Sequence, residues 1–383
     1  MNQIAENIID LSDVSRFFTF MFGQDIGAVM VLTGSLLVSC TIFGTRRWHI
    51  AISGRTHEGG LRQALHRAPT PRIGGVAVMS GLVLGAVFYS REGMALPALV
   101  ALSALPVFRA GLAEDVFHSV TPRLRLLAAA AGGLLAASMT GLWIREIGVP
   151  WLDPLLAFAP VGILFTAFAT TGIAHAFNLV DGLNGLSSGI AMLVSVSLGA
   201  MALAVGDIGV CVTAGIVFLS CAGFWFLNYP FGKIFLGDAG AYTTGHVLAW
   251  LAVVLATRNP EISPWAMLLV FMWPLKDTMF AIWRRARKGL PASAPDRLHF
   301  HHVVLRALEA SVLRGRSRTT ANATASLLVL ICAGVPSLFA VAHAGDSQSA
   351  AALFVVFIAL NLGIYGLLVR AVERRGRIFR AMA

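Results

Sequence analysis

Eleven apolar stretches, separated by polar loops, dominate the sequence and dictate its fold class. Their approximate limits are Gly23–Phe43, Ile73–Tyr89, Leu96–Phe108, Leu124–Thr140, Leu155–Phe177, Ser187–Val205, Ile208–Asn228, Gly240–Thr257, Trp265–Trp283, Ala323–Ala342 and Ala350–Val369. A bilayer core about 30 Å thick needs roughly 20 such residues per helix. None of the stretches alternates with a period of two, which argues against a β-barrel. The expectation is an all-α, polytopic integral membrane protein of about eleven transmembrane helices, the third short enough to be tilted or a core helix. Charged residues are only 13% of the chain, against about 25% in an ordinary soluble domain. The abundance of Leu, Val and Phe also excludes disorder. Cys40, Cys211, Cys221 and Cys332 each fall in an apolar stretch without metal-type spacing, so they are expected to pack as small apolar residues.

The net charge is +10, and its placement gives an orientation. The odd-numbered loops and the tail carry 24 Lys and Arg residues, against three (Arg91, Arg145 and Arg258) in the even-numbered loops. The positive-inside rule then puts the odd loops and the C-terminus in the cytoplasm and the N-terminus outside. The start of the chain has no basic n-region, so no cleavable signal peptide is expected. No internal repeat or interdomain linker is visible; the chain is expected to form one membrane-embedded unit over residues 1–383, with a cytoplasmic loop at 284–322. Within that loop, His302–Leu313 has the pattern of a short helix.

The acidic residues show where chemistry sits. Glu114 and Asp115 are adjacent in loop three. Asp181 lies in Asn178-Leu-Val-Asp-Gly-Leu-Asn-Gly185, and Asp238 in Phe235-Leu-Gly-Asp-Ala-Gly240. Asp296 precedes His299-Phe-His-His302, and loop one holds His66-Arg-Ala-Pro-Thr-Pro-Arg-Ile-Gly-Gly75. Five consecutive cytoplasmic loops thus carry a compact polar motif at a helix end, while the outside loops carry nothing comparable. That asymmetry points to one active site on the inner face. Asp238 beside backbone N–H groups, with Asn178 offering an amide oxygen, suits a hard cation such as Mg²⁺, which keeps positions for substrate phosphate. Arg67, Arg72 and the histidines can hold phosphate oxygens. Taken alone, each motif has a plainer reading: a turn, a helix cap, a solvated loop, or a zinc site for the histidines. Asp277, inside the ninth stretch beside Lys276, is a functional candidate because a charge there is costly, or else part of a broken, water-lined helix end. His246 is expected to be a packed interior residue.

The ordered set of motifs resembles one family. Asn178–Leu186 is similar to its Asn-x-x-Asp-Gly-x-Asp-Gly-Leu, and Phe235–Gly240 to its Phe-x-Gly-Asp-x-Gly. Pro274–Thr278 is similar to Pro-x-x-Asp-Thr, Asp296–His302 to Asp-Arg-x-His-x-His-His, and Pro69–Gly75 to Pro-Thr-Pro-x-x-Gly-Gly. The set resembles the polyprenyl-phosphate N-acetylhexosamine-1-phosphate transferases (glycosyltransferase family 4), and the histidine motif is more similar in form to the O-antigen-initiating branch than to the muramoyl-pentapeptide branch. The resemblance runs from about His66 to His302.

The resemblance implies that a polyprenyl (undecaprenyl) phosphate attacks the β-phosphorus of a UDP-N-acetylhexosamine and releases UMP. The product starts a lipid-linked glycan: O-antigen, capsule or another cell-wall polysaccharide. It implies Mg²⁺ (with Mn²⁺ as a substitute) held by Asp238 and Asn178. It gives catalytic roles to Asp115, Glu114 and Asp181, and substrate contacts to His299, His301, His302, Arg72 and Asp277. The expected setting is the bacterial inner membrane with a cytoplasmic active site, membrane lipids around the chain, no nucleic-acid partner, and a homodimer left open. The alternatives are a phospho-N-acetylmuramoyl-pentapeptide transferase and, from another class, a transporter. Two positions depart from the family pattern: Glu114 replaces the first Asp of an Asp-Asp pair, and Asn184 replaces the second Asp of Asp-Gly-x-Asp-Gly.

Overall fold

The structure, a computed structural model, describes residues 9–23, 26–53, 70–291, 296 and 298–382, with side chains as far as Glu373. Among these there is no strand. The helices are, in order, α1 (Ser12–Phe22), α2 (Ile26–Gly44), α3 (Arg46–Ser53), α4 (Gly75–Arg91), α5 (Leu96–Ser103), α6 (Leu105–Phe117), α7 (Pro122–Thr140), α8 (Asp153–Ala157) and α9 (Ala159–Val180). They continue with α10 (Leu186–Ala204), α11 (Ile208–Asn228), α12 (Gly237–Arg258), α13 (Pro264–Val270), α14 (Met272–Arg287), α15 (Phe300–Glu309), α16 (Arg318–Ala342) and α17 (Ser347–Met382).

Every apolar stretch forms helix, but fewer helices than eleven meet the length and apolarity needed to cross a bilayer. Seven do so among the described residues: α2, α9, α10, α11, α12, α16 and α17. The number reaches nine if two bent pairs each make one span, α5 with α6 (bent by 43°) and α13 with α14 (bent by 74°). Pro106 and Pro264 open the second and first members of those pairs, where a missing N–H costs nothing. The remaining two stretches fall short for physical reasons. α4 has 17 residues, and α7 carries Arg123 and Arg125 in its first turn. The expected 284–322 loop is largely helical: it includes the end of α14, all of α15 and the start of α16. The short helix expected over His302–Leu313 is α15, two residues earlier in its start and shorter at its end.

α12 is the axis of the bundle. It is 94% buried over its apolar window, while α17, at the edge, is 6% buried. α4, α6, α7, α9, α10 and α11 all pack on α12. In lipid the hydrophobic effect does not drive helices together, so close packing of small residues must do so. The crossings at the start of α12 show this. A side chain on Gly111 of α6 would sit 2.6 Å from the Ala239 Cα, and one on Gly75 of α4 would strike the Gly240 backbone. These contacts draw the ends of α4 and α6 onto the first turn of α12, where Asp238 lies. Exposed Leu37, Leu164, Phe168 and Leu360 give the outer surface an apolar character suited to lipid.

Candidate active site

The site begins where two loop motifs pair. The Phe235 N–H donates to the Pro71 carbonyl (2.8 Å), the Gly74 N–H to the Phe235 carbonyl (2.9 Å) and the Gly75 N–H to the Leu236 carbonyl (2.8 Å). The chain then turns into α12 through Gly237, whose φ is +75°. A side chain there would be strained and would collide with Arg72 and the Asp115 carboxylate.

Asp115 comes from the last turns of α6 and is buried. Its Oδ1 accepts the Asp238 N–H and its Oδ2 the Ala239 N–H, both at 2.9 Å. It therefore caps α12 from another helix, satisfying N–H groups that a helix start leaves unpaired. Its neighbour Glu114 points elsewhere: its Oε2 accepts the Val120 N–H at 3.0 Å and braces the turn into α7. That turn includes His118 in the left-handed region, with φ +54°.

The Asp238 carboxylate is paired with the Arg125 guanidinium from the first turn of α7. One turn further along α12, the Tyr242 hydroxyl accepts from the Asn178 side-chain amide at 3.1 Å, which leaves the amide oxygen for a ligand. His175, one turn before Asn178 on α9, lies edge-on to the Tyr242 ring at 4.7 Å, within the fields of Arg125 and Asp238. Asp181, at the end of α9, is half-buried. Burial pushes its carboxyl up to about 7; Arg72 pulls it down and Asp238 pushes it up. Arg72, itself exposed, also acts on Asp115. The structure thus brings Asp115, Asn178, Asp181, Asp238 and Arg72 to one end of the bundle.

The histidine motif joins the same end. A side chain on Gly182 would meet the His301 imidazole, so the ring packs directly on the loop that carries Asp181. His301 and His302 have ring centroids 4.2 Å apart, and His299 and His301 5.6 Å apart. Burial pushes His302 down to about 4, and pushes His301 down as well, so both rings are neutral at pH 7. Asp277, expected to touch substrate, is instead engaged on both oxygens. His299 Nδ1 lies 2.8 Å from Oδ2, and the Phe300 N–H donates to Oδ1 at 3.1 Å. It holds the histidine motif and starts α15. Arg284 binds Asp296 at 2.5 Å, which holds that carboxyl below its usual range despite burial.

Asn184 has a local explanation. Its backbone N–H donates to Asn322 Oδ1 at 3.0 Å, and its side-chain amide donates to the Pro230 carbonyl at 2.9 Å. A donor is needed there, and a carboxylate is not one. Next to it, the Gly185 N–H donates to Asn228, and the Asn228 amide donates to the Ile234 carbonyl at 2.7 Å. The 182–185 loop is therefore anchored to the segment that leads into Asp238. His246 lies away from the site, 3.0 Å from Ser103 Oγ in the bundle interior, as its packed character predicts. His66, Arg67, Pro69 and Arg297 lie outside the described residues.

Three residues at this site were not singled out by sequence reasoning: Arg125, His175 and Tyr242. Arg125 counts in the loop charge tally without a role of its own. The available signal for His175 was its spacing, one helical turn before Asn178.

The sequence pattern of Glycosyl transferase family 4 matches residues 96–256, which carry Glu114, Asp115, Arg125, Asn178, Asp181 and Asp238. The decaprenyl-phosphate N-acetylglucosaminephosphotransferase of Mycobacterium leprae is 32% identical over 282 residues, covering 63% of this chain and 68% of that protein. The chain belongs to glycosyl transferase family 4. Other relatives agree with this family 4 assignment. The undecaprenyl-phosphate alpha-N-acetylglucosaminyl 1-phosphate transferase of Yersinia pestis is 27% identical, over 63% of this chain and 67% of its own length. A probable undecaprenyl-phosphate N-acetylglucosaminyl 1-phosphate transferase of Bacillus subtilis is 28% identical, over 62% and 66%. The matched part therefore spans about two-thirds of each relative's length. Family 4 membership makes the protein a glycosyl transferase, and its apolar helices make it a multi-pass membrane protein; the transporter reading is set aside.

Proposed function

We propose that this family 4 enzyme transfers a sugar 1-phosphate from a UDP-sugar to undecaprenyl phosphate or a related polyprenyl phosphate, releasing UMP. An oxygen of the lipid phosphate attacks the sugar-bearing β-phosphorus, the bond from that phosphorus to the α-phosphate oxygen breaks, and UMP leaves. One diphosphate bond is made as one is lost, so no further energy source is needed. The names of the relatives favour N-acetylglucosamine over a muramoyl-pentapeptide as the sugar.

The observation that carries this reading is the convergence of Asp115, Arg125, Asn178, Asp181 and Asp238 at one end of the bundle, with His301 packed on the 181–185 loop. The donor set fits Mg²⁺. Asp238 and Asp181 are close enough to repel, and the Asn178 amide oxygen is a third hard donor. No group of three or more His, Cys, Asp or Glu arranged for a metal occurs among the described residues, so substrate phosphates would complete the shell. When bound, Mg²⁺ would neutralise phosphate charge as it builds toward the leaving group. Asp115 fixes the backbone that carries Asp238. A phosphate monoester has a second pKa near 6, so the acceptor needs orientation more than it needs a base. Arg125 and Arg72 supply positive charge for phosphate oxygens. The neutral imidazoles of His301 and His302 supply hydrogen-bond partners rather than charge. The basic odd loops support a cytoplasmic site in a bacterial inner membrane.

The experiment is to incubate purified protein with undecaprenyl phosphate, Mg²⁺ and a panel of UDP-sugars, and to weigh the lipid product by mass spectrometry. The expected product is undecaprenyl diphospho-N-acetylhexosamine from one donor, absent with EDTA. Product formation in EDTA would overturn the metal part of the reading, and no product with any donor would overturn the reaction.

A further inference from the structure

The last helix, which lies outside the region matched by the family, reaches the histidine segment at Leu298 and Phe300, where Tyr365 stands 6.3 Å from the Phe300 ring. The Tyr365 hydroxyl of α17 donates to the Leu298 carbonyl at 3.0 Å. The next residue, His299, is held at Nδ1 by Asp277. The one after that, Phe300, has its N–H on Asp277 and its ring beneath the Lys276 ammonium, 4.6 Å from the centroid. Lys276 also sits 3.8 Å over Trp273 and donates to Asn361 of α17 at 3.4 Å. Lys276 and Asn361 are both buried. Tyr365 has a second hold: the Arg284 guanidinium that binds Asp296 lies over its ring at 5.7 Å.

A buried ammonium in a membrane-spanning segment is expensive and persists where it is paired or stacked. Here its partners link α14 and α17 to Phe300: the Phe300 ring itself, Trp273, which packs edge-on to that ring, and Asn361 of α17. We propose that Tyr365 is a positioning residue, working with Lys276 and Asn361: α17 sets the placement of His299, His301 and His302 against the Asp181 loop, and so sets affinity for the sugar-nucleotide donor. This rests on the reading above, in which the histidines contact the donor's phosphates. On that reading the histidines contact the donor alone, so acceptor affinity is expected not to change.

The test compares wild type with Tyr365→Phe, which removes one hydroxyl and keeps the ring, and with Lys276→Met, which keeps the stem. Val355→Ala, on the exposed face of the same helix, is the control for general disturbance of α17. The readouts are donor KM, acceptor KM and kcat, with amide hydrogen exchange over residues 298–305. For Tyr365→Phe the expected result is a donor KM about fivefold higher, the scale of one lost hydrogen bond. Acceptor KM and kcat should stay within about twofold, and exchange at Phe300 should be faster. Lys276→Met should move the same quantities in the same direction, and Val355→Ala none. Wild-type donor KM and exchange in Tyr365→Phe would overturn the proposal. His301→Asn separates the two failures. If it raises donor KM while Tyr365→Phe does not, the grip is refuted and the histidine reading stands. If His301→Asn leaves donor KM unchanged, the histidine reading fails and takes the proposal with it.

Discussion

Asp115 and Asp238 meet at the crossing of α6 and α12, where the Asp115 carboxylate accepts the backbone N–H of Asp238 and that of Ala239, each at 2.9 Å. A helix start has unpaired N–H groups and a partial positive charge. A carboxylate from a neighbouring helix satisfies both and fixes the direction in which the Asp238 side chain leaves α12. The two acids are thus unequal: one shapes the backbone, and the other faces the site with Arg125.

Asp115→Asn should expose this difference. Its amide would present N–H to N–H at one of the two contacts, and a buried unsatisfied donor costs about 1–3 kcal/mol. The expected outcome is a lower unfolding midpoint together with a loss of UMP release of about 100-fold. Fluorescence-monitored unfolding and a UMP assay check both. Lost activity with an unchanged midpoint would move Asp115 from cap to substrate contact.

Arg125→Gln tests the cation facing Asp238. Removing one partner of a largely buried pair leaves its charge uncompensated, and the burden is strongest without metal. The variant should bind Mn²⁺ about five- to tenfold more tightly, because Asp238 no longer has an internal competitor. Its kcat should nevertheless fall, since a phosphate-facing charge is gone. Titration by electron paramagnetic resonance reads the first effect without turnover. Weaker metal binding would show that Arg125 and the metal do not compete.

Asn184→Asp restores the residue that much of the family carries, yet it should not help this chain. The Pro230 carbonyl would lose its donor and face a carboxylate instead. A stability loss of about 1–3 kcal/mol is expected, with no gain in kcat. Thermal unfolding of the purified variant decides the matter; a raised midpoint would contradict the assignment.

The Asp181 carboxyl, raised to about 7, makes a signed prediction for stability. Between its unfolded value of 3.8 and its folded value of about 7, the folded chain holds a proton that the unfolded chain has released. Its contribution to stability is fully present below 3.8 and is lost as pH rises toward 7. In EDTA, the unfolding midpoint should therefore fall across that window, and Asp181→Asn should flatten the fall. Mg²⁺ should flatten it too, by favouring the carboxylate. Equal slopes in wild type and Asp181→Asn would contradict an Asp181 that holds its proton in the folded chain.

Asp238, Asn178, Asp181 and the histidines were legible as a group because each lies in a short polar motif at a helix end, where an apolar chain gives polar residues few other uses. What the motifs do to each other was not legible. Arg125 and Asp238 are 113 residues apart, and nothing local to either reveals the pair. Asp277 looked functional because a charge inside an apolar stretch is costly. The structure settles that cost within the protein, through His299 and Phe300. Asn184 looked like a missing charge, and only its distant partners, the Pro230 carbonyl and Asn322, show that an amide is required. α7 falls short of a plain apolar span for a related reason. One of the two arginines that dilute the start of α7 is Arg125, which pairs with Asp238.

The most direct measurement is UMP release from UDP-N-acetylglucosamine by wild type and Asp238→Ala, each with and without undecaprenyl phosphate, at saturating Mg²⁺. Wild type should release one UMP per lipid-linked sugar diphosphate formed, and only when the lipid is present. Asp238→Ala, folded by its unfolding transition, should fall by about 1,000-fold or more. Lipid-dependent UMP release by Asp238→Ala at the wild-type rate would contradict a reaction centred on Asp238.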